Sequence, residues 1–152
     1  MSASRTILVV GTYDTKDEEL ADVAERIRSQ GGDVLRMDVS VLGEPSAPTD
    51  LSKHDVAEAA GASIQQAIDC NEENAALQIM ARGAALLCAH LSARGRIDGM
   101  IAPGGTMGTD LALDCAQALQ VGVPKFIVST VAFAKAALGV LDGWIADGTV
   151  KT

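Results

Sequence analysis

Gly99-Met100-Ile101-Ala102-Pro103-Gly104-Gly105-Thr106-Met107-Gly108-Thr109-Asp110-Leu111 is the stretch whose reading decides the fold. It opens on a short apolar run, Met100 to Ala102, of the kind that forms a strand buried on both faces. Pro103 ends that strand, because it has no N–H to give to a ladder. Gly104, Gly105 and Gly108 mark backbone that turns sharply or approaches something closely. Leu111, Ala112, Cys115, Ala116 and Leu119 then recur at helical spacing, so the glycine turn empties onto a helix N-terminus.

Such a terminus has spare N–H donors and the positive end of a dipole, and Thr106 and Thr109 add hydroxyls. Strand, Gly/Thr turn and helix start make a cradle for a phosphate or carboxylate. The same residues also read as a tight turn with no ligand. The spacing is neither G-x-G-x-x-G nor the P-loop pattern. Asp110, placed in the first helical turn, opposes an anion there. At about 5 Å and an effective dielectric of about 20 the repulsion is about 3 kcal/mol. A Mg²⁺ held between Asp110 and the phosphates reverses that sign.

Working outward, Thr6 to Val10 is another continuous apolar run, ending at Gly11, and reads as a central parallel strand. Asp14 or Thr15 caps the helix that follows, with acidic residues in its first turn. Leu20, Val23, Ala24 and Ile27 form its apolar stripe, Gly31-Gly32 stop it, and Val34 to Val39 gives a second strand. Strand, helix and strand within about 35 residues make a right-handed βαβ unit. In such sheets ligands bind outside the carboxyl ends of the strands. Two small polar turns end there, Thr12 to Lys16 and Gly104 to Thr109. A third, Ser129-Thr130, follows the strand Phe126 to Val128. Lys16 offers a point charge to phosphate, and Asp14 an acceptor for a ribose hydroxyl or a metal-bound water. A helix cap and a solvated first-turn charge describe the same two residues equally well.

Val41 to Pro48 is irregular and long for a connection in a compact α/β domain, so it covers strand ends or contacts a partner. Ser52 caps a short helix, and His54 in its first turn reads as surface. A long helix runs from about Asn71 to Ala93, with Met80 in its core stripe and Gly83 allowing close approach. His90, near its end, reads as structural. After Thr130, Val131 to Leu138 reads as a helix and Leu141 to Gly148 as one edge strand.

The chain's 152 residues fit one domain able to bury a sizeable core, and its 48% hydrophobic but only 3% aromatic content matches small side chains at helix–sheet contacts. Twelve Lys and Arg against twenty Asp and Glu give −8, which argues against nucleic acid or an acidic membrane surface as partner. No apolar run reaches the roughly 18 residues of a membrane span, and Met1 to Arg5 lacks a signal-peptide core. Cys70, Cys88 and Cys115 match no zinc pattern, so buried thiols in a reducing cytoplasm are the simple reading.

Three motifs in order, Gly11-Thr12-Tyr13-Asp14-Thr15-Lys16 with Glu19-Leu20, the Gly104 to Thr109 turn, and Val121-Gly122-Val123-Pro124-Lys125 leading to Ser129-Thr130-Val131-Ala132, resemble the Tm-one-like ATP-binding domain family. Met107 stands where that family usually has Gly. The resemblance implies an ATP site at the strand ends and a chain that continues into a second α/β domain.

The expectation is a three-layer, Rossmann-like α/β domain with a mainly parallel sheet of four or five strands. Its function is expected to be Mg·ATP binding in a regulatory or assembly role, with an ATP-dependent transferase or hydrolase, or a non-binding interaction domain, as alternatives. Gly104, Gly105, Thr106, Gly108 and Thr109 hold phosphates, Thr12, Asp14, Thr15 and Lys16 the rest of the nucleotide, and Ser129 and Thr130 close the far side, with Asp110 on the metal. No nucleophile–base pair is evident. A two-fold homodimer through the long helix is also expected.

Overall fold

The computed structural model describes residues 3–130. The expected helix and edge strand after Thr130, with Trp144, lie outside the described residues. In order come β1 (Thr6–Gly11), α1 (Asp17–Ser29), β2 (Asp33–Asp38), α2 (Lys53–Ala59), α3 (Ile64–Asp69), α4 (Glu73–Ala93), β3 (Gly99–Gly104), α5 (Thr106–Ala118) and β4 (Lys125–Ser129). Among the described residues the strands form one parallel sheet of order β2-β1-β3-β4.

The strand alternation assigns the layers. Leu8 and Val10 of β1, Met37 of β2, and Met100 and Ala102 of β3 join a large core with α2, α4 and α5. Val9 faces the other way and packs with Tyr13, Leu20 of α1, Val34 and Ile101. The fold is therefore three-layered, with α1 on one side and α2, α4 and α5 on the other. On the α1 side, no described helix covers β4. Phe126, in register with Ile101, is 62% exposed, and Val128 is also exposed.

Close helix packing explains the long helix. A Cβ at Gly83 would lie 1.8 Å from the Val56 carbonyl oxygen, so this glycine lets α4 press against α2. Gly83 is thus spent inside the domain. Among the described helices α4 is long and apolar enough by composition to cross a membrane, and it carries seven buried residues of this domain's interior. Ser52 and Ser63 cap α2 and α3 through reciprocal capping boxes with Asp55 and Gln66.

Four local readings need correction. Strand β3 does not stop before Pro103 but runs to Gly104. Met100 donates to Pro124 O and Gly104 O accepts from Thr130, so even-numbered residues face β4 and Pro103 faces β1. Pairing to β1 has already ended at Ile101, so the missing N–H breaks nothing. Helix α1 is capped neither by Asp14 nor by Thr15. Its N-cap is Lys16, without a side-chain bond. Helix α5 begins at Thr106, which puts Met107 on helical backbone that needs no glycine and puts Asp110 past the first turn. Cys70 is exposed, while Cys88 and Cys115 are buried.

Candidate functional site

The strand order makes the site. From β1 the chain passes through α1 to β2 on one side, and β3 lies on the other, so the carboxyl ends of β1 and β3 diverge into a crevice at the topological switch point. A cleft of about 340 Å³ occupies it. Gly11, Thr12 and Lys16 form one wall, and Gly104, Gly105 and Gly108 the other.

The glycines of the second wall serve different ends. A Cβ at Gly104 would sit 2.8 Å from the carbonyl carbon of Gly108, so Gly104 is glycine because the strand end abuts the helix start. Gly105 and Gly108 have no such neighbour, since a Cβ at either would meet no atom within 4 Å. Neither has the positive φ that favours glycine, Gly105 being extended at −85°. Among the described residues, neither packing against a Cβ nor backbone conformation calls for glycine at these two positions. Both border the cleft at the start of α5, where a side chain would fill it.

Thr109 and the third turn brace this wall and do not line it. The buried Thr109 hydroxyl donates to Gly105 O at 2.7 Å and shares a 2.6 Å hydrogen bond with Ser129 Oγ. Thr130 N–H reaches Gly104 O at 3.4 Å. Ser129 and Thr130 thus stand one strand beyond the cleft. Thr106 opens α5. Asp110 is exposed and lies outside the cleft walls, and its nearest electrostatic effect is on Asp114 one turn on, whose carboxyl is raised first by burial and then by Asp110. No group of three or more His, Cys, Asp or Glu gathers into a metal site among the described residues.

The β1–α1 turn is held by side chains. Thr12 O accepts from the N–H groups of Thr15 and Lys16, at 3.2 and 2.9 Å, and the Thr12 and Thr15 hydroxyls lie 3.0 Å apart. Lys16 is half-buried in the cleft wall with no carboxylate partner among the described residues. Asp14 does not line this first cleft. Its Oδ2 accepts from Gly43 N–H at 3.3 Å, while its Oδ1 is enclosed without a partner among the described residues.

Sequence reasoning missed Asp38, which ends β2 and is 1% exposed. Its Oδ1 accepts from Tyr13 N–H at 3.3 Å, Ser40 N–H at 2.9 Å and the Ser40 hydroxyl at 2.6 Å. That carboxylate ties the β1–α1 turn to the chain leaving β2. An acid at the end of a buried strand was the available signal, because a buried charge must be paired or hydrogen-bonded. Tyr13 goes inward, its hydroxyl donating to Val9 O at 3.2 Å, and burial pushes its pKa well up. The irregular β2–α2 connection folds back over the site. Ser46 bonds to Asp17 and holds its carboxyl below the usual range, and buried Lys53 donates to Gly43 O while pairing with Glu44.

Residues 5–142 match the model of an uncharacterised protein family (UPF0261), N-terminal domain. The chain belongs to the UPF0261 family. A UPF0261 protein of Brucella suis is 55% identical over 130 residues, 86% of this chain and 31% of its own length. One from Clostridium tetani is 36% identical over 129 residues, 85% and 32%, and one from Mesorhizobium japonicum 36% over 128, 84% and 31%. The chain thus spans about a third of the length of these curated relatives. The match overturns the assignment to the Tm-one-like ATP-binding domain family. UPF0261 membership brings no ligand with it. For the UPF0261 domain, function has to be argued from the cleft.

Proposed function

We propose that this UPF0261 domain binds the phosphates of a nucleotide, Mg·ATP being the specific candidate, in a regulatory or assembly role. One observation carries the reading: Gly105 and Gly108 are bare where neither packing nor φ calls for glycine, and both border a cleft. Bare backbone at a helix start lets an anion approach N–H donors closely. Lys16 supplies a cation across the cleft, partly offsetting the three acidic residues in the first turn of α1. In this reading Mg²⁺ travels with the phosphates as their counter-ion, and Thr109, Ser129 and Thr130 act by holding the glycine turn in shape.

The ATP-dependent transferase or hydrolase is the alternative, with Lys16 and Asp14 its candidate proton carriers. Calorimetric titration with Mg·ATP, followed by a phosphate-release assay, separates the two. Binding without turnover supports the regulatory reading and turnover the enzyme. Gly105→Asp is expected to cut ATP affinity at least about 100-fold while the domain stays folded, since it places a charge in open space at the cleft. Unchanged affinity in a folded variant rejects the phosphate assignment.

A reducing, cytoplasmic setting fits three free cysteines. A two-fold homodimer and a second α/β domain in the full-length protein complete the proposal. Exposed Phe126 and Val128 on β4, with Leu42, Leu86 and Val121 elsewhere, are the large apolar side chains available to them among the described residues. Light scattering at micromolar concentration tests the dimer, and a mass of 15.6 kDa at every concentration rejects it.

A further inference from the structure

A second cleft of about 540 Å³ opens beside the first, and the two share Thr12, Val39, Gly108 and Leu111 in their walls. Both volumes fall within the roughly 300–1,000 Å³ of small-molecule sites. Their chemistry differs. The first offers bare backbone, a helix start and Lys16. The second runs between the start of α4 and the chain leaving β2, its wall mostly apolar, with Leu77 and Leu111 among its residues. Its charged wall residues, Asp14, Glu72 and Glu73, are all acidic. Such a wall repels phosphate and suits an uncharged, partly apolar body that carries hydrogen-bond donors.

Polar groups gather near the junction. Thr12 lines both clefts and Thr15 the second, and their hydroxyls, 3.0 Å apart, use one proton on each other and leave one for a ligand. Among the described residues, Asp14 Oδ1 has no partner and Oδ2 takes the 3.3 Å bond from Gly43. An enclosed carboxylate oxygen without a donor is costly, and a small reorientation toward a ligand hydroxyl relieves it.

We infer that the two clefts are halves of one site, the second receiving the nucleoside of a nucleotide whose phosphates occupy the first, with Asp14 accepting from a sugar hydroxyl. This rests on the phosphate reading above and extends it to the organic half of the ligand. The base lies in the apolar part of the second cleft, and the sugar lies at the Thr12–Thr15 junction. The division of charge orients the ligand, because its anionic end is excluded from the acidic cleft.

Calorimetry with tripolyphosphate, adenosine and Mg·ATP, each titrated into the whole chain, tests the inference. ATP is expected to bind at least tenfold tighter than tripolyphosphate, and adenosine to compete with ATP. Ala76→Phe, which fills the second cleft, should reduce ATP affinity to that of tripolyphosphate and leave tripolyphosphate unchanged. Asp14→Asn should weaken ATP and adenosine about tenfold without affecting tripolyphosphate, and it decides the matter if Ala76→Phe does not fold. Equal affinities for ATP and tripolyphosphate, or ATP binding indifferent to Asp14→Asn, overturn the nucleoside cleft and leave the phosphate reading standing. Adenosine binding without tripolyphosphate binding sinks the phosphate cradle and with it the joined two-cleft site. No binding of any of the three overturns both.

Discussion

The two turns that face each other across the cleft are built by opposite means. The β1–α1 turn is pinned by side chains, chiefly the buried carboxylate of Asp38 reaching Tyr13 and Ser40. The β3–α5 turn is shaped by glycine, with Gly104 against Gly108 and the Thr109–Ser129 hydroxyl pair behind it. A pinned turn holds its geometry without a ligand. A bare one leaves its N–H groups unclothed, at the cost of glycine's extra freedom in the unfolded chain. That pairing, one pinned wall and one stripped wall, is compatible with the anion site proposed above.

The sharpest way to break the comparison is Asp38→Ala. It strands three donors that now share one oxygen, and should destabilise the domain by about 3 kcal/mol or more in urea unfolding. A loss under about 1 kcal/mol would show that the first turn is not pinned by this carboxylate. Next comes a contrast within the second turn. Gly104→Ala drives a Cβ into Gly108 backbone and should cost about 2 kcal/mol, whereas Gly105→Ala should stay within about 0.5 kcal/mol. Equal costs would erase the distinction between a packed and an open glycine. Thr109→Val keeps the shape but removes the bonds to Gly105 and Ser129, for an expected loss of about 1 kcal/mol.

A smaller effect should appear in acid. Hydrogen bonds from Ser46 lower the pKa of Asp17 below its ordinary 3.8. The stabilisation is therefore complete above that ordinary value and is lost as pH falls through the lowered one. Hydrogen exchange at Ser46 should accelerate between about pH 5 and about pH 2, beyond the intrinsic pH trend, and Asp17→Asn should flatten that change. The smallest expected effect belongs to Asp110→Asn. Removing a like charge four residues from Asp114 should stabilise α5 by a few tenths of a kcal/mol and lower the Asp114 pKa only in part, since burial is the larger cause. A loss of ligand affinity in the same variant would put Asp110 back beside the phosphates.

What the sequence by itself determined is the order and type of the main elements, which periodicity carries; the cap residue of α1 and the exact end of β3 it did not. Apolar runs such as Thr6 to Val10 mark buried parallel strands, the stripe of α1 and the Ser52 cap of α2 are periodic or adjacent signals, and the βαβ rule orders them. From those, the crevice between the first turn and the glycine turn was already legible. Tertiary structure alone decided which polar groups face it. Asp14 and Thr15 looked like caps because the residues before an acidic first turn usually are, but Gly43, 29 residues further on in the chain, claims Asp14 instead. Thr109 and Ser129 looked like ligand donors, and they bond each other because β4 lies beside β3. Whether a glycine is bare for packing or for a cleft is likewise invisible in one dimension, since it turns on what stands within 4 Å of a Cβ that is not there. Hydrogen bonds and close approaches between distant segments are settled by the sheet order, and only the folded chain brings those segments together.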